Sequence, residues 1–141
     1  MSNIDALDII YLVKPSTDNW LKIAAKDLKM AKLCLDGNEP LGVINHLHAA
    51  VEKLLKGIVE EGGSIPPKIH SLKQLAIDVC ALKLEKHQSD LFNLLDKAFI
   101  SSRYPNEVER FEEEYDIVRC QQLFSDVEVI IKWLKGLLQK N

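Results

Sequence analysis

The stretch DIVRCQQLFSDVEVIIKWLKGLLQ, residues 116–139, decides the fold class. Its apolar residues recur every three or four positions, which is the spacing of one face of an α-helix. The apolar positions are Ile117, Cys120, Leu123, Val127, Ile130, Leu134 and Leu137. A helix with such a continuous apolar face must bury that face against other elements, and the stretch therefore predicts a helical bundle.

Four further patterns complete the predicted bundle. Residues 18–36 and 40–61 predict two long helices with apolar residues on one side. Residues 71–84 predict a shorter helix with Ser71 as its N-cap, and residues 87–102 predict another long one. The predicted fold is therefore all-α, an antiparallel up-and-down bundle of four main helices plus a short additional helix.

The segment between the last two long helices has no clear apolar periodicity. Residues 107–115 hold five glutamates, and we predict a loop or a ragged helical turn there. Gly62 and Gly63, followed by Pro66 and Pro67, predict a stiff linker that is not helical. These breaks separate the helices without dividing the chain into several domains.

The beginning of the chain differs from the rest. Residues 1–17 are predicted to form an N-terminal arm ahead of one helical domain over residues 18–141. Asp5 and Asp8 lie where a signal peptide would carry basic residues, and the apolar run that follows is too short to cross a bilayer. We therefore expect a cytoplasmic protein with no membrane segment, whose arm packs on the domain or on a second subunit.

Composition and motifs exclude several classes of function. The chain has 18 Lys and Arg against 21 Asp and Glu, a net charge of −3, so it offers no overall attraction to a nucleic-acid backbone. The three cysteines form no CxxC pair and lack histidines at ligand spacing, so we predict reduced thiols and no metal site. Gly62-Gly63 follows a helix without a Walker lysine, and no cofactor is predicted.

One face of the second helix gathers polar side chains. Asn45, Ala49, Glu52 and Lys56 fall on one line, with His46 and Lys53 on a flanking line. The simplest interpretation is a solvated face with an ion pair between Glu52 and Lys56, one turn apart. The alternative is a binding patch. His46 and His48 point about 200° apart on a helix and cannot share a metal ion.

The order of short motifs along residues 20–138 resembles the HEPN family, the "higher eukaryotes and prokaryotes nucleotide-binding" proteins. The motifs that carry the resemblance are Trp20, Ala24, Asp27-Leu28 and Ala31, then His46, Glu52-Lys53 and Lys56, then Pro66-Pro67, His70-Ser71-Leu72 and Arg103-Tyr104-Pro105. Many members have glutamines where this chain has His48 and Ala49, which weakens the case for hydrogen bonding from these two positions.

The resemblance implies a nucleotide or phosphate site. By residue, the proposed site comprises Arg103, Tyr104, Lys53, Lys56, Glu52, His46 and His70. Arg103 follows a predicted helix, where a cation also favours the helix C-terminus, so a structural role is the alternative. As a ligand contact, its guanidinium would hold phosphate through two hydrogen bonds.

The RNase motif of the family is missing. HEPN RNases carry an Arg followed by a His after four to six residues, whereas here no His follows Arg103 or Arg110. We therefore expect a non-catalytic or weakly catalytic protein. The resemblance implies that it acts as the partner of a small nucleotidyltransferase in a toxin–antitoxin-like module and forms a homodimer. Two alternatives are a metal-independent endoribonuclease that uses Arg103 with His46 or His70, and a helical scaffold without a ligand.

Overall fold

The computed structural model describes residues 13–139 of the chain. Its helices are α1 (Pro15–Asp36), α2 (Pro40–Glu61), α3 (Leu72–Gln74, extended by a π-helical turn, Leu75–Val79), α4 (Lys86–Ser101), α5 (Val108–Glu114) and α6 (Ile117–Gln139). Residues 13–139 contain no strand, and the predicted all-α bundle is confirmed. None of these helices combines the length and the hydrophobicity that a membrane span requires.

Helices α1 and α2 form an antiparallel hairpin around a tight turn. Asn38 turns the chain with a left-handed backbone, φ 57°, a conformation that asparagine tolerates better than most residues. The Oγ1 of Thr17, at the start of α1, donates a hydrogen bond to Glu61 Oε1, at the end of α2, over 2.8 Å. Further along, Asp27 Oδ1 lies 3.0 Å from His46 Nδ1. These contacts fix the register of the pair.

Helix α2 is the centre of the bundle. It packs against α1, α4 and α6, and its apolar residues are buried on more than one side of the helix. The completely buried apolar residues of α2 are Val43, Ile44, Leu47, Ala50, Val51, Leu54 and Leu55. Burying each large side chain of this kind stabilises the fold by about 1.5 to 3 kcal/mol, so α2 holds its polar face in a fixed position.

Two helix boundaries, the start of α1 and the end of α3, differ from the prediction by more than one residue. Helix α1 begins at Pro15, because proline suits the first helical position after an extended Lys14, so the helix includes the last residues of the predicted arm. Residues 1–12 of that arm lie outside the described residues. The α3 segment ends at Val79 instead of residue 84, where Ala81 takes a left-handed φ of 54°. The chain therefore turns earlier than its apolar pattern suggests.

The glutamate-rich segment is more regular than predicted. It forms a 3₁₀ turn, Pro105–Glu107, followed by α5. Phe111 and Tyr115, one helical turn apart, are both buried, and their ring centroids lie 4.8 Å apart. Two aromatic side chains therefore anchor a short helix whose glutamates face solvent.

Candidate functional site

An open groove of about 570 Å³ lies along the polar face of α2. Its walls come from α1, α2 and the end of α4, with one residue from the segment before α3. The residues that line it are Trp20, Asp27, Asn45, His46, Ala49, Glu52, Lys53, Lys56, His70, Phe99 and Arg103. A volume of this size is typical of small-molecule sites.

The floor of the groove holds a buried ion pair. Lys56 Nζ donates to Glu52 Oε2 over 2.9 Å, and the two side chains are only 8% and 7% exposed. Lys53 Nζ lies 3.6 Å from Asp27 Oδ2 on the neighbouring helix. Because both lysines have a carboxylate partner, an anionic ligand would have to compete for them.

Two histidines face the groove from different elements. The Nδ1 of His46 lies 3.0 Å from Asp27 Oδ1, and the Nδ1 of His70 lies 3.1 Å from Glu52 Oε2. An ionised carboxylate can only accept, so each neutral imidazole carries its proton on Nδ1 and offers Nε2 as an acceptor. In both His46 and His70 the Nδ1 side of the ring therefore faces a carboxylate, and Nε2 is the nitrogen left without that partner.

Arg103 enters the groove from the end of α4. Its guanidinium carbon lies 3.9 Å from the centroid of the Phe99 ring, a cation–π contact. Within residues 13–139 its side chain makes no ion pair and no hydrogen bond. The Phe99 ring supports the exposed guanidinium on one face, and its hydrogen-bond donors stay available to a ligand.

Six of the seven predicted site residues therefore line one groove. The exception is Tyr104, which is 57% exposed and does not line it. Arg110, the other cation considered in the absence of the RNase motif, lines a separate small cavity beside Lys97 and Glu114. Within the described part of the chain no group of three His, Cys, Asp or Glu residues is arranged to hold a metal ion.

Sequence reasoning missed the carboxylate behind the groove. Asp96 accepts hydrogen bonds from His48 Nε2 (3.0 Å), Ser71 Oγ (3.0 Å), Leu72 N (2.8 Å) and Lys73 N (3.2 Å). Burial alone would raise the pKa of Asp96, but these hydrogen bonds outweigh it and hold the pKa below its usual value. Asp96 thus holds the start of α3 in place, and this also positions His70, the residue that precedes Ser71.

His48 connects this carboxylate to the groove wall. It is fully buried, and its ring stacks on Phe99 with centroids 4.0 Å apart. Its Nδ1 has no hydrogen-bond partner in residues 13–139 and lies 3.7 Å from Glu52 Oε1. One signal in the sequence could have revealed the hydrogen bond of His48. His48 falls on the apolar stripe of α2, one turn after Ile44, and a buried polar group needs a partner.

Comparisons with known proteins agree with this fold. The family model described as "HEPN domain" matches residues 17–137. Among curated proteins no sequence matches the chain. The crystal structure of TT1696 from Thermus thermophilus is similar in fold, with a TM-score of 0.74 and 19% identity over 87% of this chain and 98% of that one. Because the family model covers most of the sequence, the chain belongs to the HEPN domain family.

Proposed function

We propose that the groove binds the phosphate group of a nucleotide or of RNA. The observation that carries this proposal is the guanidinium of Arg103, which is held over Phe99 without a carboxylate partner in residues 13–139. A planar guanidinium that is already oriented loses little freedom when it binds phosphate through two hydrogen bonds. Phosphate binding is the chemistry that such a group performs best.

The charge of the groove supports an anionic ligand. Its lining contains Lys53, Lys56 and Arg103 against Asp27 and Glu52, an excess of one positive charge. The two lysines are already paired, so Arg103 is the primary anchor and Lys53, the more exposed lysine, adds a second contact. His46 and His70 add neutral or positive groups but no negative charge.

Calorimetry with pyrophosphate, AMP and ATP tests the site directly. Arg103→Gln should weaken binding at least about tenfold, since a charge-assisted bidentate contact is lost. Arg110→Gln is the matched control, because it removes the same charge outside the groove. Phe99→Leu should weaken binding by a smaller factor through loss of the stacked ring. Absence of heat, and of any ligand-induced rise in melting temperature, with all three ligands would overturn the proposal.

We further propose that the protein is cytoplasmic and works with a small nucleotidyltransferase in a toxin–antitoxin-like module. Support comes from family membership and from the surface beside Arg103, where Ile100 and Tyr104 are each 57% exposed. Exposed apolar side chains, next to Phe99 and Arg103 in the sequence, suit a protein contact. Co-expression with a neighbouring nucleotidyltransferase reading frame should give a complex that Ile100→Glu disrupts and Val118→Glu, on an exposed position elsewhere, leaves intact. Failure of the two products to co-purify argues against the pairing.

As an alternative occupant of the same surface we propose a second copy of the chain, which gives the homodimer that the family resemblance implies. A symmetric contact through Ile100 and Tyr104 would place two Arg103 side chains near one interface. Light scattering over a range of protein concentrations should give twice the chain mass for the wild type, and Ile100→Glu should shift it toward the mass of one chain. A wild type that stays monomeric at all concentrations excludes the dimer.

A second candidate function is metal-independent RNA cleavage. It is favoured by the two carboxylate-bound imidazoles that line the same groove as Arg103. In such a reaction the Nε2 of one neutral imidazole, that of His46 or His70, would take the proton of a 2′-hydroxyl, whose oxygen then bonds to phosphorus. The other histidine would enter the step as an imidazolium, and its Nε2–H would protonate the leaving 5′-oxygen. Arg103 would steady the charge that builds on the phosphate oxygens.

RNA incubated with the protein in EDTA separates this candidate from simple binding. Cleavage by the wild type that is lost in Arg103→Ala, and in His46→Gln or His70→Gln, supports the enzyme. RNA that binds but stays intact supports the binding protein. A chain that neither binds nor cleaves would be a helical scaffold.

A further inference from the structure

A second groove lies between α1 and α6, on a different side of α1 from the candidate site. It has a volume of about 320 Å³, and the completely buried Leu54 of α2 contributes to its floor. The residues that line it are Ala24, Ala25, Leu28, Lys29, Lys32, Leu54, Phe124, Ile131 and Lys135. It shares none of them with the first groove.

Small side chains create this second groove. Ala24 and Ala25 face it from α1, so the two helices leave a gap where larger residues would close it. Leu28 and Phe124 are only partly buried beside the gap and remain accessible. The result is an apolar floor, which gains free energy when apolar atoms cover it.

The rim of the second groove is basic. Lys29, Lys32 and Lys135 surround the apolar floor, and no carboxylate from residues 13–139 lines it. Lys32 is paired with Asp36 at 2.7 Å, whereas neither Lys29 nor Lys135 has a carboxylate partner in the described part of the chain. An occupant that complements this surface combines apolar side chains with negative charge.

The chain itself contains a segment of that chemistry. Residues 1–12, MSNIDALDIIYL, are mostly apolar, and their charged side chains are Asp5 and Asp8. We propose that residues 1–12 of the same chain occupy the second groove, with Asp5 and Asp8 facing the lysines and the apolar side chains covering the floor. Both the hydrophobic and the electrostatic requirements of the groove are then met by one segment.

The chain path allows this docking. Val13 packs against the core, and the backbone N–H of Lys14 donates to Glu61 Oε1 over 3.0 Å. The described part of the chain therefore begins at the end of the hairpin where α1 starts and α2 ends. Ala24 lies about 14 Å along α1 from Pro15 at the helical rise per residue. Twelve residues can extend to about 40 Å, which leaves ample length. Because residues 1–12 are joined directly to the start of α1, their effective concentration at the second groove is high.

Hydrogen–deuterium exchange in the full chain tests the proposal. Residues 1–12 should exchange several-fold more slowly in the wild type than in Lys29→Glu/Lys135→Glu, because charge reversal at the rim repels Asp5 and Asp8. The matched control is Lys26→Glu/Lys132→Glu, which makes the same charge change on the same two helices outside the groove and should keep the protection. Equal exchange in the groove variant and the control overturns the proposal.

Swapping the charges gives an independent check. Asp5→Lys/Asp8→Lys should lose the protection, and combining it with Lys29→Glu/Lys135→Glu should restore it. The apolar anionic dye ANS should bind Asp5→Lys/Asp8→Lys more strongly than the wild type, since the second groove is then uncovered. Docking within one chain is contradicted if the wild type binds ANS as strongly as Asp5→Lys/Asp8→Lys does. It is also contradicted if the protection of residues 1–12 disappears on dilution, because a second copy then supplies the segment.

Discussion

The Nε2 atom of His48 lies 3.0 Å from Oδ1 of Asp96, and this contact joins α2 to α4 behind the groove wall. The same carboxylate accepts hydrogen bonds from the first residues of α3. Asp96→Asn should lower the free energy of unfolding by about 2 kcal/mol at pH 7, because an amide can accept at one of its two polar atoms only. Urea unfolding measures this loss, and a change within about 0.5 kcal/mol would contradict it.

The pH dependence of this contribution has a defined sign. Hydrogen bonding holds the pKa of Asp96 below its ordinary value of 3.8 in the folded protein. The stabilisation is therefore complete above that value and is lost as the pH falls through the lower, folded-state pKa. The difference in unfolding free energy between wild type and Asp96→Asn should shrink below about pH 4. A difference that grows in acid would disprove the assignment.

The buried pair of Glu52 and Lys56 predicts a pattern of single and double substitutions. Lys56→Met should destabilise the fold by about 3 kcal/mol, because it leaves a carboxylate buried without its main partner. Glu52→Gln/Lys56→Met should recover much of that loss. The control is the exposed pair of Lys86 and Asp90, which has the same spacing and a similar distance of 2.8 Å but side chains 89% and 61% exposed. Lys86→Met should leave the midpoint of urea unfolding almost unchanged, since water already screens that pair.

The close approach of α1 to α2 predicts a steric effect at Gly42. A Cβ added there would lie 2.5 Å from Cys34 Sγ and 3.1 Å from Cys34 Cβ. Gly42→Ala should therefore destabilise the protein by about 1 to 3 kcal/mol through overpacking, despite the better helix propensity of alanine. Adding Cys34→Gly should restore part of the loss. Additive effects of the two substitutions in thermal unfolding would show that the contact is not the cause.

Two thiols should be slow to react. Burial raises the pKa of Cys80 and of Cys120 to about 11 each, and the Sγ atoms lie 3.5 Å from the carbonyl oxygens of Leu55 and Tyr115. Little thiolate is present at neutral pH, so both should resist iodoacetamide in the folded protein and react after unfolding in urea. Mass spectrometry of labelled peptides follows each site. Rapid labelling of folded Cys80 would contradict this geometry.

The class of fold could be predicted because helix periodicity is local. The apolar spacing of residues 117–138 depends on neighbours three or four positions away, and the same holds for α1, α2 and α4. The end of α3 could not be predicted in this way, because Leu82 continues the apolar pattern while Ala81 turns the chain. Helix α5 was predicted only as a loop or a ragged helical turn, because Phe111 and Tyr115 are the only buried residues among five glutamates over residues 107–115.

The site was predictable along one helix but not between helices. Helical geometry alone places Glu52 and Lys56 on one line. The contact of Asp27 with His46 depends on how two helices slide against each other, which a single sequence does not reveal. His48 shows the difference most clearly: family resemblance weakened the case for hydrogen bonding there, yet its Nε2 bonds to Asp96 across the bundle. This interaction requires α4 to be in place.

Asp27 contacts both His46 and Lys53, two turns apart on α2. Sliding α1 by one turn would move this carboxylate about 5.4 Å and break both contacts. Most of the groove therefore belongs to a stretch of consecutive chain, residues 15–61, in which Asp27 and His46 are 19 positions apart, whereas His48 and Asp96 are 48 apart. The shorter loop costs less entropy to close, so we expect the contact of Asp27 with His46 to form before the one that reaches α4. Most of the groove wall can assemble as a hairpin, and the guanidinium of Arg103 joins it last, when α4 packs against the hairpin.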